Sequence, residues 1–314
     1  MIRVLFWLFL LTIFVISPFF GSVSLSLSEI LQPHSLSHDI FLNLRLPREL
    51  FSFTAGAVLA LSGLLFQTLF RNALMTPYTL GISSGAVLGV GIAIKLGVAM
   101  LALFGFSGAL VSVFVLLFVS RFVPHTQHNT LLLLGIALSM FYTSALTIVF
   151  YLGSSIQNDM LLRFTMGSLS ILGWRDPFVL LGAGVLLLLT AYRYRFELQL
   201  LSISEQSAQL KGVNTQRVTT ILLVAASLAI GVLVSIAGPI GFVGLVAPHI
   251  VAKIYPVSVE KRLGITALFG GVFLIACDTL ARIINTQSEL PIGIITALIG
   301  GPFFIYLLLS KKNA

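Results

Sequence analysis

Two charged residues stand where their neighbours are almost all apolar. Asp278 and Arg282 fall in Ala276-Cys-Asp-Thr-Leu-Ala-Arg, four residues apart with the acid first. On a helix that spacing puts both side chains on one face, in the favourable order. Such an intramembrane ion pair can hide both charges from lipid, with Asp278 orienting Arg282. The alternative is a carboxylate that carries protons. Other chemistries have thinner support. His34 and His38 are four apart in a Ser-rich segment beside Asp39, a spacing that suits a metal as well as a solvated loop. His125 and His128 share a short loop with no acidic partner, and His249 stands alone. Cys277 is the single cysteine, which removes internal disulfides and paired-thiol metal sites.

No G-x4-G-K-[ST] phosphate loop or H-E-x-x-H helix occurs, and no G-x-S-x-G elbow sits between a strand and a helix. No catalytic residue, cofactor site or metal site is expected. A chain of this kind that moves a solute uphill must draw on an ion gradient or on a partner that hydrolyses ATP. Buried ionisable groups are nearly limited to Asp278 and Arg282, which favours an external motor.

The elements that must position these residues follow from composition. Of 314 residues, 58% are hydrophobic and 9% charged, with a mean hydropathy of +1.07. A soluble domain carries about 25% charged residues, so soluble and disordered classes are excluded. Long unbroken apolar runs exclude an outer-membrane barrel, whose strands alternate. The reading is an all-α polytopic membrane protein with about ten transmembrane helices. The candidate spans are Val4–Phe20, Leu50–Phe70, Thr79–Ile94, Gly97–Val119, Thr130–Leu152, Pro177–Tyr192, Thr219–Ile236, Phe242–Ile254, Leu263–Ile284 and Ile292–Leu309. The eighth is short. The first lacks a small-x-small cleavage site and reads as an uncleaved span.

Charge orients the chain. With both termini in the cytosol, the inner side holds twelve basic residues against three acidic ones, and the outer side six against six. The net charge of +8 is therefore a topology signal, and no nucleic acid is implied. Residues 1–314 form one membrane domain. Two connections stand out. Residues 153–176 form an extracytoplasmic loop whose Met160–Leu169 stretch reads as a short amphipathic helix, lying near the surface or re-entering. Residues 193–217 form the longest cytosolic loop. Gly56, Gly63, Gly81, Gly85, Gly89 and Gly91 cluster in the second and third spans, as close helix packing or a pore-lining face would need.

Several segments together are specific. Arg45-Leu-Pro-Arg-Glu-Leu precedes Gly56-Ala-Val-Leu-Ala-Leu-Ser-Gly, Gln67 and Arg71-Asn-Ala-Leu-Met-Thr-Pro-Tyr-Thr-Leu-Gly-Ile-Ser-Ser-Gly-Ala. Met166-Gly-Ser-Leu-Ser, Gly238-Pro-Ile-Gly-Phe-Val-Gly-Leu-Val-Ala-Pro-His-Ile, Ala276-Cys-Asp-Thr-Leu-Ala-Arg and Glu289-Leu-Pro-Ile-Gly-Ile-Ile-Thr-Ala-Leu-Ile-Gly-Gly-Pro-Phe-Phe follow. In order and spacing, over essentially the whole chain, this resembles the permease subunit of bacterial ABC importers for iron-siderophore complexes, haem and vitamin B12. The resemblance implies the type II ABC importer permease fold in the bacterial cytoplasmic (inner) membrane. It implies a dimer with a second permease, identical or a sister subunit. Two cytoplasmic ATP-binding subunits that use the ATP, and an extracytoplasmic substrate-binding protein, complete it. An iron-siderophore complex is the expected cargo, with haem or cobalamin as alternatives.

The resemblance also implies residue roles. Arg45, Arg48 and Arg282 fall on arginines that receive carboxylates of the binding protein. Met166, Gly167 and Ser168 lie at the gate or pathway. Ala208-Gln-Leu-Lys-Gly212 falls on the coupling sequence that meets the ATPase, giving Ala208, Lys211 and Gly212 that role, with Glu205 beside them. Lys211 stands where leucine is usual. Ala73 replaces a proline, and residues 251–264 depart from the family's basic turn, with Ala252 in the place of an arginine and Lys261-Arg262 displaced by two.

Overall fold

The computed structural model describes residues 2–21, 27–30, 32, 35–120, 122, 128–284 and 289–310, and every structural statement here concerns those residues. His34, Arg121, His125, Lys311 and Lys312, which enter the sequence reading, lie outside them. The helices are α1 Ile2–Ile16, α2 Leu27–Ile30, α3 Leu36–Ile40, α4 Leu46–Leu69, α5 Ile82–Leu96, α6 Leu101–Ser120, α7 His128–Leu152 and α8 Ser155–Thr165. There follow α9 Arg175–Arg193, α10 Arg195–Ile203, α11 Glu205–Leu210, α12 Thr215–Ala237, α13 Val243–Ile254, α14 Val259–Ile284 and α15 Ile292–Ser310. A π-helical turn, Phe41–Arg45, joins α3 to α4 without a break.

Six helical stretches are long and apolar enough to cross a membrane: Leu36–Leu69, Leu101–Val119, Leu132–Leu152, α9, α12 and α14. Four shorter apolar helices, Leu10–Phe19, α5, α13 and Ile292–Tyr306, meet the remaining predicted spans. The chain is an all-α, multi-pass membrane bundle. Local chemistry marks the breaks. Gly97, at φ +67°, closes α5 and separates it from α6. Ser154 and Gln157 form a capping box at the start of α8, and Asn214 caps α12. Twelve-residue α13 spans about 18 Å at 1.5 Å per residue, short of a bilayer core of about 30 Å. The irregular turn 238–242 precedes it, with Phe242 at φ +65°.

The core is built on α4, buried on nearly every face and flanked by α14, α13, α9 and α12. Small residues allow this. A Cβ on Gly56 would collide with the Gly270 carbonyl of α14, and one on Gly63 with the Gly244 carbonyl of α13. With no hydrophobic force between helices in lipid, such close approach is what holds them. Gly85 and Gly89 of α5 likewise abut α6 at Gly108 and Phe104. By contrast, α7 and α15 leave large apolar side chains outward, among them Met140, Phe141, Tyr151, Leu298 and Ile305.

Candidate functional site

The outer mouth gathers all three predicted arginines. The chain enters α4 through the π-helical turn, with Pro47 in the first helical turn, and this places Arg45, Arg48 and Glu49 against the outer end of α14. Arg48 divides its fork. Nε and Nη2 donate to Asp278 at 3.0 and 2.7 Å, and Nη1 donates to both carboxylate oxygens of Glu289 at 2.8 Å. Arg282 Nη2 donates to Glu49 Oε1 at 2.8 Å, while Nη1 donates to the Phe20 carbonyl at 3.0 Å. Ser17 Oγ also donates to Glu49 Oε1, at 2.6 Å. Arg45 Nη1 donates to the Pro18 carbonyl at 2.9 Å. Three guanidiniums thus meet three carboxylates, so the cluster is neutral as a whole.

Asp278 and Arg282 approach each other, Nε to Oδ2 at 3.1 Å. Nε is off the hydrogen-bonding line, however, and makes no hydrogen bond. The strong contacts run between helices: Arg48 of α4 holds Asp278 of α14, and Arg282 of α14 holds Glu49 of α4. The i,i+4 spacing showed the nearer partner, and Glu49, Glu289 and Ser17 came from elsewhere in the chain. Their only sequence signal was the equal number of acids and bases assigned to the outer side. Asp278, 1% exposed, lies between two arginines.

Burial grades the cluster. Arg282 and Arg45 are 4% and 7% exposed. Glu289 is the outermost member, its side chain 37% exposed, and it also accepts from Ser170 Oγ at 2.8 Å. Partial burial works against the Glu289 charge, but Arg48 beside it outweighs this and holds the carboxyl below the usual glutamate range. A cleft of about 370 Å³, lined by Arg45, Arg48, Ser170, Arg282 and Glu289 among others, opens over the set.

Met166, Gly167 and Ser168 form a backbone knot. After α8 descends along α5, with Gln157 Nε2 donating to the Ile94 carbonyl at 3.1 Å, the chain turns at Gly167, φ +72°. Ser168 N–H donates to the Ala237 carbonyl at the end of α12, 2.8 Å. Ile292 and Gly293 N–H, at the start of α15, donate to the Gly167 and Met166 carbonyls at 3.2 and 3.1 Å. The first N–H groups of a helix have no partner inside it, so this loop caps α15. An open cleft of about 660 Å³ lies alongside, lined by Tyr78, Met166, Pro239, Gly293, Ala297, Leu298 and neighbours.

At the cytosolic end, Ser204 breaks α10 from α11 and caps α11 by accepting from Ser207 N–H at 2.9 Å. Ala208 is fully buried at the base. Glu205 Oε1 accepts from Thr215 Oγ1 at 3.2 Å and ties α11 to α12. Lys211 and Gly212 make the turn at the tip, with Gly212 at φ +82° and open space around it. Leu210 beside them is 89% exposed.

A helical bundle with a neutral outer cluster, a loop at 166–168 that caps α15 and a projecting inner loop fits a permease. The model of the FecCD transport family matches residues 9–310. The chain belongs to that family. Its members named for different cargoes are all similar to it. The cobalamin import system permease of Halobacterium salinarum is 39% identical over 86% of this chain and 73% of its own length. The hemin transport system permease of Yersinia pestis is 35% identical over 98% and 95%. The Helicobacter pylori "Probable iron chelatin transport system permease protein" is 32% identical over 95% of each. Among solved structures, one described as "An inward-facing conformation of a putative metal-chelate type ABC transporter" superposes at a TM-score of 0.88 and 28% identity, over 99% of this chain and 100% of that one. The chain is a permease subunit of an ABC importer of the cytoplasmic membrane, and ATP hydrolysis belongs to a separate subunit.

Proposed function

We propose that this chain, paired with a second permease, carries an iron-siderophore complex inward from a docked binding protein, driven by two ATP-binding subunits on the cytosolic loop. Relatives named for cobalamin, hemin and iron chelatin support a large metal chelate as cargo. The open cleft beside Met166 and α15 is mostly apolar, as suits passage without a tight site. Specificity would then rest with the binding protein.

The observation that carries the docking role is the divided fork of Arg48. One side is fixed on buried Asp278, and the other is held by outermost Glu289. A carboxylate of the binding protein can take the place of Glu289 on Arg48 at little cost, because one charge-assisted pair replaces another. Arg45 and Arg282, held beneath by the Pro18 and Phe20 carbonyls and by Glu49, back Arg48 in a cluster without net charge. Glu289 stands three residues before Ile292, whose N–H rests on the gate loop, so exchange at Arg48 is felt at Met166–Ser168. On the inner side, Ala208 and Glu205 root the coupling helix, and Lys211 and Gly212 present its tip to the ATPase.

Reconstitution of the permease with its ATP-binding subunits and binding protein in proteoliposomes tests the reading. ATP-dependent uptake of a ferric siderophore, with hemin and cobalamin passed over, is expected. Preferential uptake of hemin or cobalamin would reassign the cargo. Uptake by the permease alone under a proton gradient would overturn the division of labour.

A further inference from the structure

Helix α9 packs on α4 and α12 with one face and turns another away from the bundle, where Val185, Leu186 and Leu189 are exposed. Steps of four residues carry that outer face from Val185 through Leu189 to Arg193, so an apolar stripe ends in a cation. Tyr192 and Phe196, 40% and 58% exposed, flank the same end. An apolar stripe on the outside of a crossing helix faces acyl chains, and aromatic rings at its end mark the level of the headgroups.

Two arginines stand at this level without an acidic partner. Arg193 and Arg195 are exposed, and among the described residues neither makes an ion pair or a side-chain hydrogen bond. Each lies instead over the ring that follows it, Arg193 Cζ 5.5 Å from the centre of the Tyr194 ring and Arg195 Cζ 4.7 Å from that of Phe196. A ring takes one face of a guanidinium and leaves its N–H edge open. The stacks rest on a fixed base. Tyr194 packs against the core, Leu198 is fully buried one turn on, and Gln199 Oε1 accepts from Val259 N–H of α14 at 2.8 Å.

We propose that this end of α9 binds anionic phospholipid headgroups of the cytosolic leaflet, the side on which the charge count places it. The open guanidinium edges match phosphate oxygens, while Tyr192, Phe196 and the stripe behind them lie along the apolar part of the same molecules. Each arginine near such a surface contributes about fivefold in affinity. A soluble anion would use the arginines and leave the stripe idle, so the continuity of the two selects lipid. At Tyr194 helix α9 gives way to α10, and a headgroup held there rests on the joint between a crossing helix and the cytosolic loop.

Thermal unfolding of the full-length chain in mild detergent tests this, with phosphatidylglycerol or phosphatidylcholine added. Both arginines are exposed, so Arg193→Gln and Arg195→Gln should leave the lipid-free unfolding temperature near that of the parent. Phosphatidylglycerol is expected to raise the unfolding temperature of the parent more than phosphatidylcholine does. Its half-saturating concentration should rise about fivefold in each glutamine variant. Arg193→Lys combined with Arg195→Lys keeps the charge that orients the chain in the membrane but loses the flat, stacked forks. That variant should fall between the parent and the glutamine variants, and a match to the parent would overturn the role of the forks. Equal responses to the two lipids, or the same phosphatidylglycerol response in the parent and the glutamine variants, overturn the proposal. So does a glutamine variant that sheds the co-purifying ATP-binding subunit while its lipid response is unchanged, which would make this surface a protein contact.

Discussion

The outer mouth and the cytosolic loop solve opposite problems with their polar groups. At the outer mouth Arg282, Glu49 and Asp278 are buried, Arg48 is half-buried, and the four are cross-linked between α4 and α14. At the loop tip Leu210, Lys211 and Gly212 project outward, and Gly212 has empty space around it. The outer end can change only by exchanging one partner for another. The inner end is a free projection, proposed above as the contact for the ATP-binding subunit. Damage at the first should therefore appear as lost folding, and damage at the second as lost coupling with folding intact.

The largest expected effect comes from Arg282→Ala. It strands Glu49 without its counter-ion in a dry site, and breaking a buried pair this way costs about 3–5 kcal/mol. Folded yield and unfolding temperature in detergent should both fall sharply. A variant as stable as the parent would show that the outer cluster is not what locks α4 to α14. Gly212→Val is the matching test at the other end. A β-branched residue at φ +82° is strained by about 1–2 kcal/mol, and the turn should move although nothing blocks the side chain. A fall in unfolding temperature of a few degrees at most, with ATP-driven uptake reduced about tenfold or more, is expected, and Gly212→Asn, which tolerates this conformation better, should retain more. If Gly212→Val transports normally, the tip is not the coupling element.

How far these sites could be read from sequence follows the range of the interactions. The helices were legible because lipid demands long apolar runs, and even the short α13 stood out by its length. Arg45, Arg48 and Arg282 were singled out by their motifs. Their partners were not, because the pairing between α4 and α14 joins residues more than two hundred positions apart. Periodicity shows only neighbours on one helix, and so it gave Asp278 to Arg282, the contact that lacks a hydrogen bond. The role of Met166 and Gly167 as caps of α15 was equally hidden, since backbone groups carry no sequence signature. The unusual stretch 251–264 was visible as a departure, but only the fold shows Ala252 and Arg262 lining one cleft with Arg71.

A third, smaller effect sharpens the inner half of the contrast. Leu210 is 89% exposed at the tip, and a leucine buried at a partner surface contributes about 1.5–3 kcal/mol. Leu210→Ser should leave the isolated chain as stable as the parent and weaken ATPase binding about tenfold in a detergent titration. Unchanged affinity would place the motor contact elsewhere on α10 and α11.

The smallest effect is the most specific to the outer mouth. Glu289 competes with any incoming carboxylate for Arg48. Glu289→Gln removes that rival charge, and an exposed ion pair is worth about 0–1 kcal/mol. Affinity for the binding protein at neutral pH should then rise, by about fivefold at most. The pH dependence carries a sign. The folded-state carboxyl of Glu289 is held low by Arg48, so its pairing is complete above the ordinary glutamate range near 4.3. The pairing is lost as pH falls through the lowered value. Acid should therefore bring the parent chain toward the Glu289→Gln behaviour, with the two converging only at the acid end. Equal affinities for parent and variant at neutral pH would remove Glu289 from the exchange and leave Arg48 with its buried partner alone.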